Sequence, residues 1–271
     1  MNLEQTLYPS CRVRAEEARG SATIITSRQT DGGHETYALT NHHVVAKNIV
    51  VKREYDPLVG KEVPRELKSL VEVDFPRYKG DRVLGFNSVQ AEIVIYEKHQ
   101  DIALLRFKDI ASYPSAQPLP RGWESKLSML QPLLCIGAAL GEYPIGTMGL
   151  LSGMQIEIDN YEYWVGSHLS VFGSSGGGVF AEIDDSWYFV GIPSRIAVIP
   201  LGFSAQAITH MSYFIPPHRI HSWLDQTCYQ YLYDPRFTKE QCDKMRESKR
   251  AEEMRKLLLS PMSDSEGEGI L

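Results

Sequence analysis

A serine embedded in glycines gives this chain its clearest chemical potential: Val171-Phe172-Gly173-Ser174-Ser175-Gly176-Gly177-Gly178-Val179-Phe180. Glycine is required where a backbone turns sharply or presents bare N–H groups to a ligand. Apolar, strand-like residues on both sides would fix such a turn in space. A hydroxyl on a rigid turn beside exposed N–H groups suits acyl transfer, because it combines a nucleophile with a site for the developing oxyanion. Taken alone, the run could equally be a flexible linker, as Gly/Ser-rich segments often are. Two other segments weaken the linker reading. Ala38-Leu39-Thr40-Asn41-His42-His43-Val44-Val45 supplies imidazoles, and Gln100-Asp101-Ile102-Ala103-Leu104-Leu105 places one acid at the head of an apolar run.

In chain order these groups read His, Asp, Ser, the order found in chymotrypsin-type proteases and not in subtilisin or the α/β-hydrolases. Thr40-Asn41-His42-His43-Val44-Val45 resembles the TNxHVV histidine motif of trypsin-like proteases of the HtrA (Deg) type. Asp101-Ile102-Ala103-Leu104-Leu105 resembles their DIAxL motif, and Gly173-Ser174-Ser175-Gly176-Gly177 their GNSGG. Cys135-Ile136-Gly137 through Gly141-Glu142-Tyr143-Pro144, then Gly149-Leu150-Leu151-Ser152-Gly153, is similar to the family's G-x-P…G-x-I-S-G stretch. Tyr213-Phe214-Ile215-Pro216 is similar to its closing F-A-I-P. The resemblance runs from about residue 10 to residue 226 with the motifs in the right order.

The resemblance implies an all-β protein: a double six-stranded β-barrel of the chymotrypsin/trypsin type, here with a C-terminal helical extension. Residues 1–226 would form the protease domain, with barrels over about 10–120 and 125–215 and a closing helix. Residues 227–260 would be a charged helical extension and 261–271 a disordered acidic tail. The implied activity is that of a serine endopeptidase acting on a protein or peptide through an acyl-enzyme. The alternative is a protease-fold binding or scaffolding protein, latent until a partner orders the active-site loop. His43 would be the general base, with His42 as its rival; the two valines follow His43 directly, as in the motif. Asp101 would hold the imidazole, and Ser175 would be the nucleophile, with Ser174 in the Asn position of the motif. The N–H groups of Gly173 and Ser175 would form the oxyanion hole. The base of the primary specificity pocket maps to Leu169, with a wall near Ser194 and Arg195. No acid occurs in 166–172, so a small or medium apolar side chain before the cut is expected rather than Lys or Arg. Gly178 stands where the family pattern has proline, which predicts a looser exit from the serine loop.

The elements that must position these groups are strands. Apolar or β-branched runs such as Ile93-Val94-Ile95-Tyr96, Leu133-Leu134-Cys135-Ile136 and Trp187-Tyr188-Phe189-Val190 recur between turn residues at intervals typical of a barrel. The charged, proline-containing stretch from Arg53 to about Gln90 reads as an insertion on the His–Asp side. Pro216 to Leu224 reads as a closing helix. Thr238 and Gln241 have capping-box spacing, and Lys239 to Leu259 carries Glu240/Lys244 and Glu252/Lys256 at helix-supporting spacing. Its apolar stripe (Met245, Met254, Leu257, Leu258) is thin, so it reads as a solvated helix docked loosely, with partner binding as the sharper alternative.

With 271 residues, 43% of them hydrophobic, the chain can bury a sizeable core, and a net charge of −6 gives no footprint for nucleic acid. No apolar run approaches a membrane span, and the N-terminus lacks a basic region followed by an apolar stretch. The expected setting is therefore cytoplasmic, a departure from the commonly exported HtrA type that a processed or phage-encoded protein would explain. Cys11, Cys135, Cys228 and Cys242 have neither metal-ligand nor disulfide-dense spacing. His218-x-x-His221 lacks a third ligand at matching spacing, so no metal or cofactor is expected. HtrA-like relatives often trimerise, which makes a homo-oligomer a candidate assembly, although no interface signature is legible. No stretch after the protease region is long enough for the peptide-binding domain many relatives append.

Overall fold

Two closed antiparallel barrels form the body of the protein. The computed structural model describes residues 2–57, 60–79, 82–202 and 204–259, so the acidic tail expected over 261–271 lies outside the described residues. The first barrel begins with β1 (Ser10–Arg14), β2 (Arg19–Thr30) and β3 (Gly33–Thr40). A one-turn helix α1 (Leu3–Thr6) precedes them and another, α2 (His42–Val45), follows. After α2 a two-stranded hairpin, β4 (Ile49–Asp56) with β5 (Lys61–Lys68), stands apart from the barrel. β6 (Val71–Lys79), β7 (Arg82–Glu97) and β8 (Ile102–Phe107) then complete a ring in the order β1-β2-β3-β8-β7-β6, closed by Arg12–Arg14 against Glu72–Asp74. The insertion expected from Arg53 to about Gln90 is therefore narrower than its composition suggests. Val71, Val73 and Phe75 alternate inward on β6 while its outer face stays charged, so a half-polar strand looked like a loop.

The second ring contains β9 (Pro132–Gly137), β10 (Ile145–Ile158), β11 (Tyr161–Gly166), β12 (Gly178–Ile183), β13 (Ser186–Leu201) and β14 (Ser204–Ile215). Their order is β10-β11-β14-β13-β12-β9, with β9 and β10 closing the ring.

Strand periodicity of two generates three cores rather than two. On β8, Ala103, Leu105 and Phe107 fill the first barrel, while Ile102 and Leu104 point the other way into the seam between barrels. β9 and β12 mirror this. Leu133, Cys135, Val179 and Ala181 fill the second barrel, and Leu134, Ile136 and Phe180 enter the seam. Each buried Val, Leu, Ile or Phe side chain among them, nearly sealed from water, contributes roughly 1.5–3 kcal/mol. The seam fixes one barrel against the other and so fixes the distance between the histidine and serine segments.

Helix α3 (Pro217–Gln226) lids the seam with Ile220, Trp223 and Leu224, a helical i, i+3, i+4 set. The following segment is less loosely attached than a solvated extension would be. Tyr229, Tyr231 and Leu232 are buried in the same seam, and Tyr231 donates through its hydroxyl to Tyr37 (3.0 Å). Helix α4 (Lys239–Leu259) starts with the expected capping box: Gln241 N–H donates to Thr238 Oγ1 (3.2 Å) and Thr238 N–H to Gln241 Oε1 (2.9 Å). Its first turns dock through buried Cys242 and through Arg246 over the Tyr229 ring (4.0 Å), and from Glu247 to Lys256 every side chain is exposed. Of the expected stripe, Met245 and Met254 are exposed, while the side chains of Leu257 and Leu258 lie outside the described residues.

A polar knot ties the first barrel to a loop of the second. Asp74 on β6 is 1% exposed and accepts from Arg12 Nε (2.9 Å), Arg14 Nε (2.7 Å), Arg14 Nη2 (2.9 Å) and Ser88 Oγ (2.6 Å). Arg12 Nη1 reaches on to the carbonyl of Gly141 (2.9 Å). Burial pushes the Asp74 carboxyl up, but the hydrogen bonds from Arg14, Ser88 and Arg12 and the Arg12 charge outweigh it, leaving a pKa of about 2 against an ordinary 3.8. A depressed folded-state pKa stabilises the fold above the unfolded-state value and ceases to do so as pH falls through the folded one. The contribution, about 2 kcal/mol, is therefore expected to vanish between about pH 4 and pH 2. Thermal melts of wild type and Asp74→Asn across that window should converge as pH falls, whereas a pH-independent gap would contradict the assignment.

Candidate active site

The chain leaves β3 at Thr40 and turns into α2 through Asn41, a fully buried residue whose Nδ2–H donates to the carbonyl of Asp101 (2.8 Å). Val44 and Val45 anchor α2 in the first barrel. His43 is thereby turned outward with its side chain half exposed, while His42 stacks on Tyr96 (5.1 Å between ring centroids). Burial lowers the pKa of His42. Of the two histidines, His43 is the one that meets Asp101.

Asp101 sits in the turn before β8 at φ +58°, a left-handed conformation that Asp tolerates better than most residues. Its carboxylate accepts three donors. The His43 backbone N–H bonds Oδ1 (3.0 Å), His43 Nδ1 lies 3.0 Å from Oδ1 and 2.9 Å from Oδ2, and Ser194 Oγ–H bonds Oδ2 (2.7 Å). Burial pushes the Asp101 carboxyl up. The His43 ring, its charge, Ser194 and the His43 backbone N–H more than offset this, so the pKa falls below the ordinary value. An ionised carboxylate only accepts, so His43 carries its proton on Nδ1 and leaves Nε2 unprotonated.

The serine segment arrives from the second barrel. Gly173 (φ +93°) and Gly176 (φ +85°) occupy backbone regions that favour glycine. Space imposes the same choice: a Cβ on Gly176 would lie 2.2 Å from the Ser21 carbonyl and 2.4 Å from Thr40 Oγ1, and one on Gly173 2.4 Å from the Ala138 carbonyl. The Gly176 approach brings the loop against the residues that precede His43, and the Gly173 approach seats it on the 138–141 loop. Gly176 N–H donates to the carbonyl of Pro193 (3.1 Å), one residue before Ser194. The two serines differ in setting. Ser174 is 5% exposed and its Oγ accepts from Val171 N–H (3.3 Å), whereas Ser175 is half-buried at the turn. Among the described residues, the N–H groups of Gly173 and Ser175 have no acceptor, and no hydrogen bond joins Ser175 Oγ to His43. Gly178 does not loosen the exit. It opens β12 opposite Ile136, and a Cβ there would meet the Phe180 ring at 2.5 Å.

The residues assigned to specificity lie in different settings. Leu169 is 44% exposed, and its carbonyl accepts from Thr147 Oγ1 (3.0 Å). Ser194 is bound to Asp101. Arg195 pairs with Asp159 (2.6 Å) and lies over the Tyr163 ring (5.2 Å). His218 faces Glu162 (3.6 Å) while His221 stacks on Tyr233 (4.3 Å), so the two histidines have separate surroundings. Sequence reasoning passed over Asn41 and Ser21, small polar residues in a motif and a strand whose side chains act on backbone groups far away in the chain.

The family described as trypsin-like peptidase domain matches residues 20–192. Among solved structures, the fold is similar to the HtrA-type protease AlgW with a tripeptide, at 16% identity and a TM-score of 0.55, covering 84% of this chain and 62% of that one. It is also similar to the Rv3671c protease in an inactive form, at 16% identity and a TM-score of 0.53, covering 83% of this chain and 91% of that one. Likeness at such identity shows the fold, and the chain spans less than two thirds of the first of these structures. No curated protein matches the sequence.

Proposed function

This chain belongs to the trypsin-like peptidase family, and from that premise we propose that it is a serine endopeptidase using His43, Asp101 and Ser175. The observation that carries the reading is the pairing of His43 Nδ1 with both Asp101 oxygens, beside a serine turn whose Gly173 and Ser175 N–H groups lack acceptors. In the proposed reaction Ser175 Oγ attacks the scissile carbonyl as His43 Nε2 takes its proton. The two free N–H groups hold the oxyanion. His43 then protonates the departing amine, and water releases the acyl group by the same route. Asp101 keeps the ring in the required tautomer and stabilises the imidazolium. A protein or peptide with a small or medium apolar residue before the cut is the proposed substrate.

A latent protein is the second reading, favoured by the missing Ser175–His43 hydrogen bond, although such bonds often tighten only when substrate binds. Reaction with a fluorophosphonate followed by peptide mapping separates the two. An adduct on Ser175 in wild type, lost in His43→Ala, supports the active enzyme; folded wild type that stays unmodified supports latency.

A further inference from the structure

Four consecutive carbonyls of the serine loop are each held by a named donor. Leu140 N–H holds Phe172 O (2.6 Å) and Gly177 N–H holds Ser174 O (3.0 Å). The two between and beyond them, Gly173 O and Ser175 O, are both held by one residue of the other barrel, Ser21 on β2. Its Oγ–H donates to Gly173 O (2.6 Å) and its N–H to Ser175 O (2.9 Å). Ser21 is fully buried. Its hydroxyl also accepts from Ala138 N–H (2.7 Å), in the loop that supplies Leu140, and its carbonyl accepts from Thr40 Oγ1 (2.7 Å), just before Asn41 and α2.

A trans peptide points its N–H away from its own carbonyl. Fixing Phe172 O and Ser174 O therefore aims the N–H groups of Gly173 and Ser175, the two without acceptors. The intervening planes must also hold still, or those N–H groups swing away. We propose that Ser21 is a positioning residue for the oxyanion site: its hydroxyl fastens the serine loop and the 138–141 loop together, and its backbone seats Ser175 beside the histidine segment. It touches no substrate atom. The proposal rests on the serine-protease reading for its consequence in catalysis, but the clamp on the loop can be tested separately.

Removing the hydroxyl leaves a half-buried carbonyl and a buried N–H unpaired, a cost the loop relieves by rotating its peptide planes toward other partners. Three proteins are compared: wild type, Ser21→Ala and Ser21→Cys. The Cys side chain retains the volume, but its weak donor cannot reproduce bonds of 2.6 and 2.7 Å. Hydrogen–deuterium exchange is followed in peptides covering 171–177 and 138–141, and the fluorophosphonate reaction is resolved into a maximal rate and an apparent Ki. In Ser21→Ala, exchange in 171–177 and in 138–141 is expected to rise about tenfold or more with other segments unchanged, and the maximal rate to fall by about tenfold or more with Ki within about twofold. Ser21→Cys should fall between, and it carries the test if Ser21→Ala does not fold. Unchanged exchange in 171–177 overturns the clamp. A loss shared equally between rate and Ki, or loosening spread over the whole protein, overturns the positioning role. If wild type does not react at all, the catalytic reading fails instead, and the exchange comparison still decides whether Ser21 holds the loop.

Discussion

Replacing Ser175 with alanine is expected to lower kcat for peptide hydrolysis by about 10⁵- to 10⁶-fold, the scale seen when a serine protease loses its nucleophile. Ser174→Ala is expected to stay within about tenfold of wild type, since removing one modest hydrogen bond has an effect of about 1 kcal/mol. The neighbouring serines part company because the loop alternates its faces. Ser174 turns inward, 5% exposed, with its hydroxyl taken up by Val171 N–H. Ser175 sits at the turn, and among the described residues its own N–H and that of Gly173 have no acceptor. In the proposed mechanism no acyl-enzyme forms without Oγ, and what remains is water attacking a carbonyl held in the oxyanion site, still faster than in free solution. Single-turnover hydrolysis of a peptide library by wild type and both variants checks this. Activity lost in Ser174→Ala and kept in Ser175→Ala would reverse the assignment.

The glycine-flanked serine turn was legible in the sequence as a turn because its backbone geometry and close packing demand glycine. Gly173 and Gly176 are required by left-handed φ and by carbonyls 2.4 and 2.2 Å from any Cβ, so few residues other than glycine fit there. The barrels were legible through alternation, most plainly on β8, whose two faces feed two different cores. The capping box of α4 was legible because both of its partners are local. Features that failed to show depend on contacts distant in sequence. Ser194 reads as a pocket residue until β13 brings it onto Asp101, 93 positions away. Ser21 reads as one more strand residue until Gly173 and Ala138 close around it, 152 and 117 positions away. The segment 229–232 has no helical or strand period, so nothing in its pattern announces that three of its side chains complete the seam. Asp74 looks like surface charge on a polar strand, and becomes a buried anchor only because Arg12 of β1 lies opposite it and Arg14 reaches it from two positions on.

Asp101→Asn is expected to lower kcat by about 10⁴-fold with little change in KM or thermal stability. The carboxylate faces donors on both of its oxygens, and an amide must replace one oxygen with an NH₂. At the Oδ1 position that NH₂ would oppose the His43 backbone N–H, 3.0 Å away, which cannot reverse its role. At the Oδ2 position it meets Ser194 Oγ, 2.7 Å away, a hydroxyl that can rotate and accept. The amide therefore settles with its nitrogen at Oδ2, where it also faces His43 Nδ1 at 2.9 Å. An Nδ1–H would then oppose that NH₂ and share Oδ1, 3.0 Å away, with the His43 backbone N–H, so Nδ1 is pressed to accept and the ring proton moves to Nε2, the atom that receives the proton of Ser175 in the proposed mechanism. The fold loses nothing large, but the base is blocked. Ser194→Ala keeps the carboxylate and its hold on Nδ1, so it is expected to cost about tenfold, the worth of one hydrogen bond to a charged group. Proton NMR of the imidazole N–H groups would report the tautomer directly: Nδ1–H in wild type and Nε2–H in Asp101→Asn. If Asp101→Asn retained both the wild-type tautomer and the wild-type rate, the carboxylate would be a turn residue and His43 would act without an orienting partner.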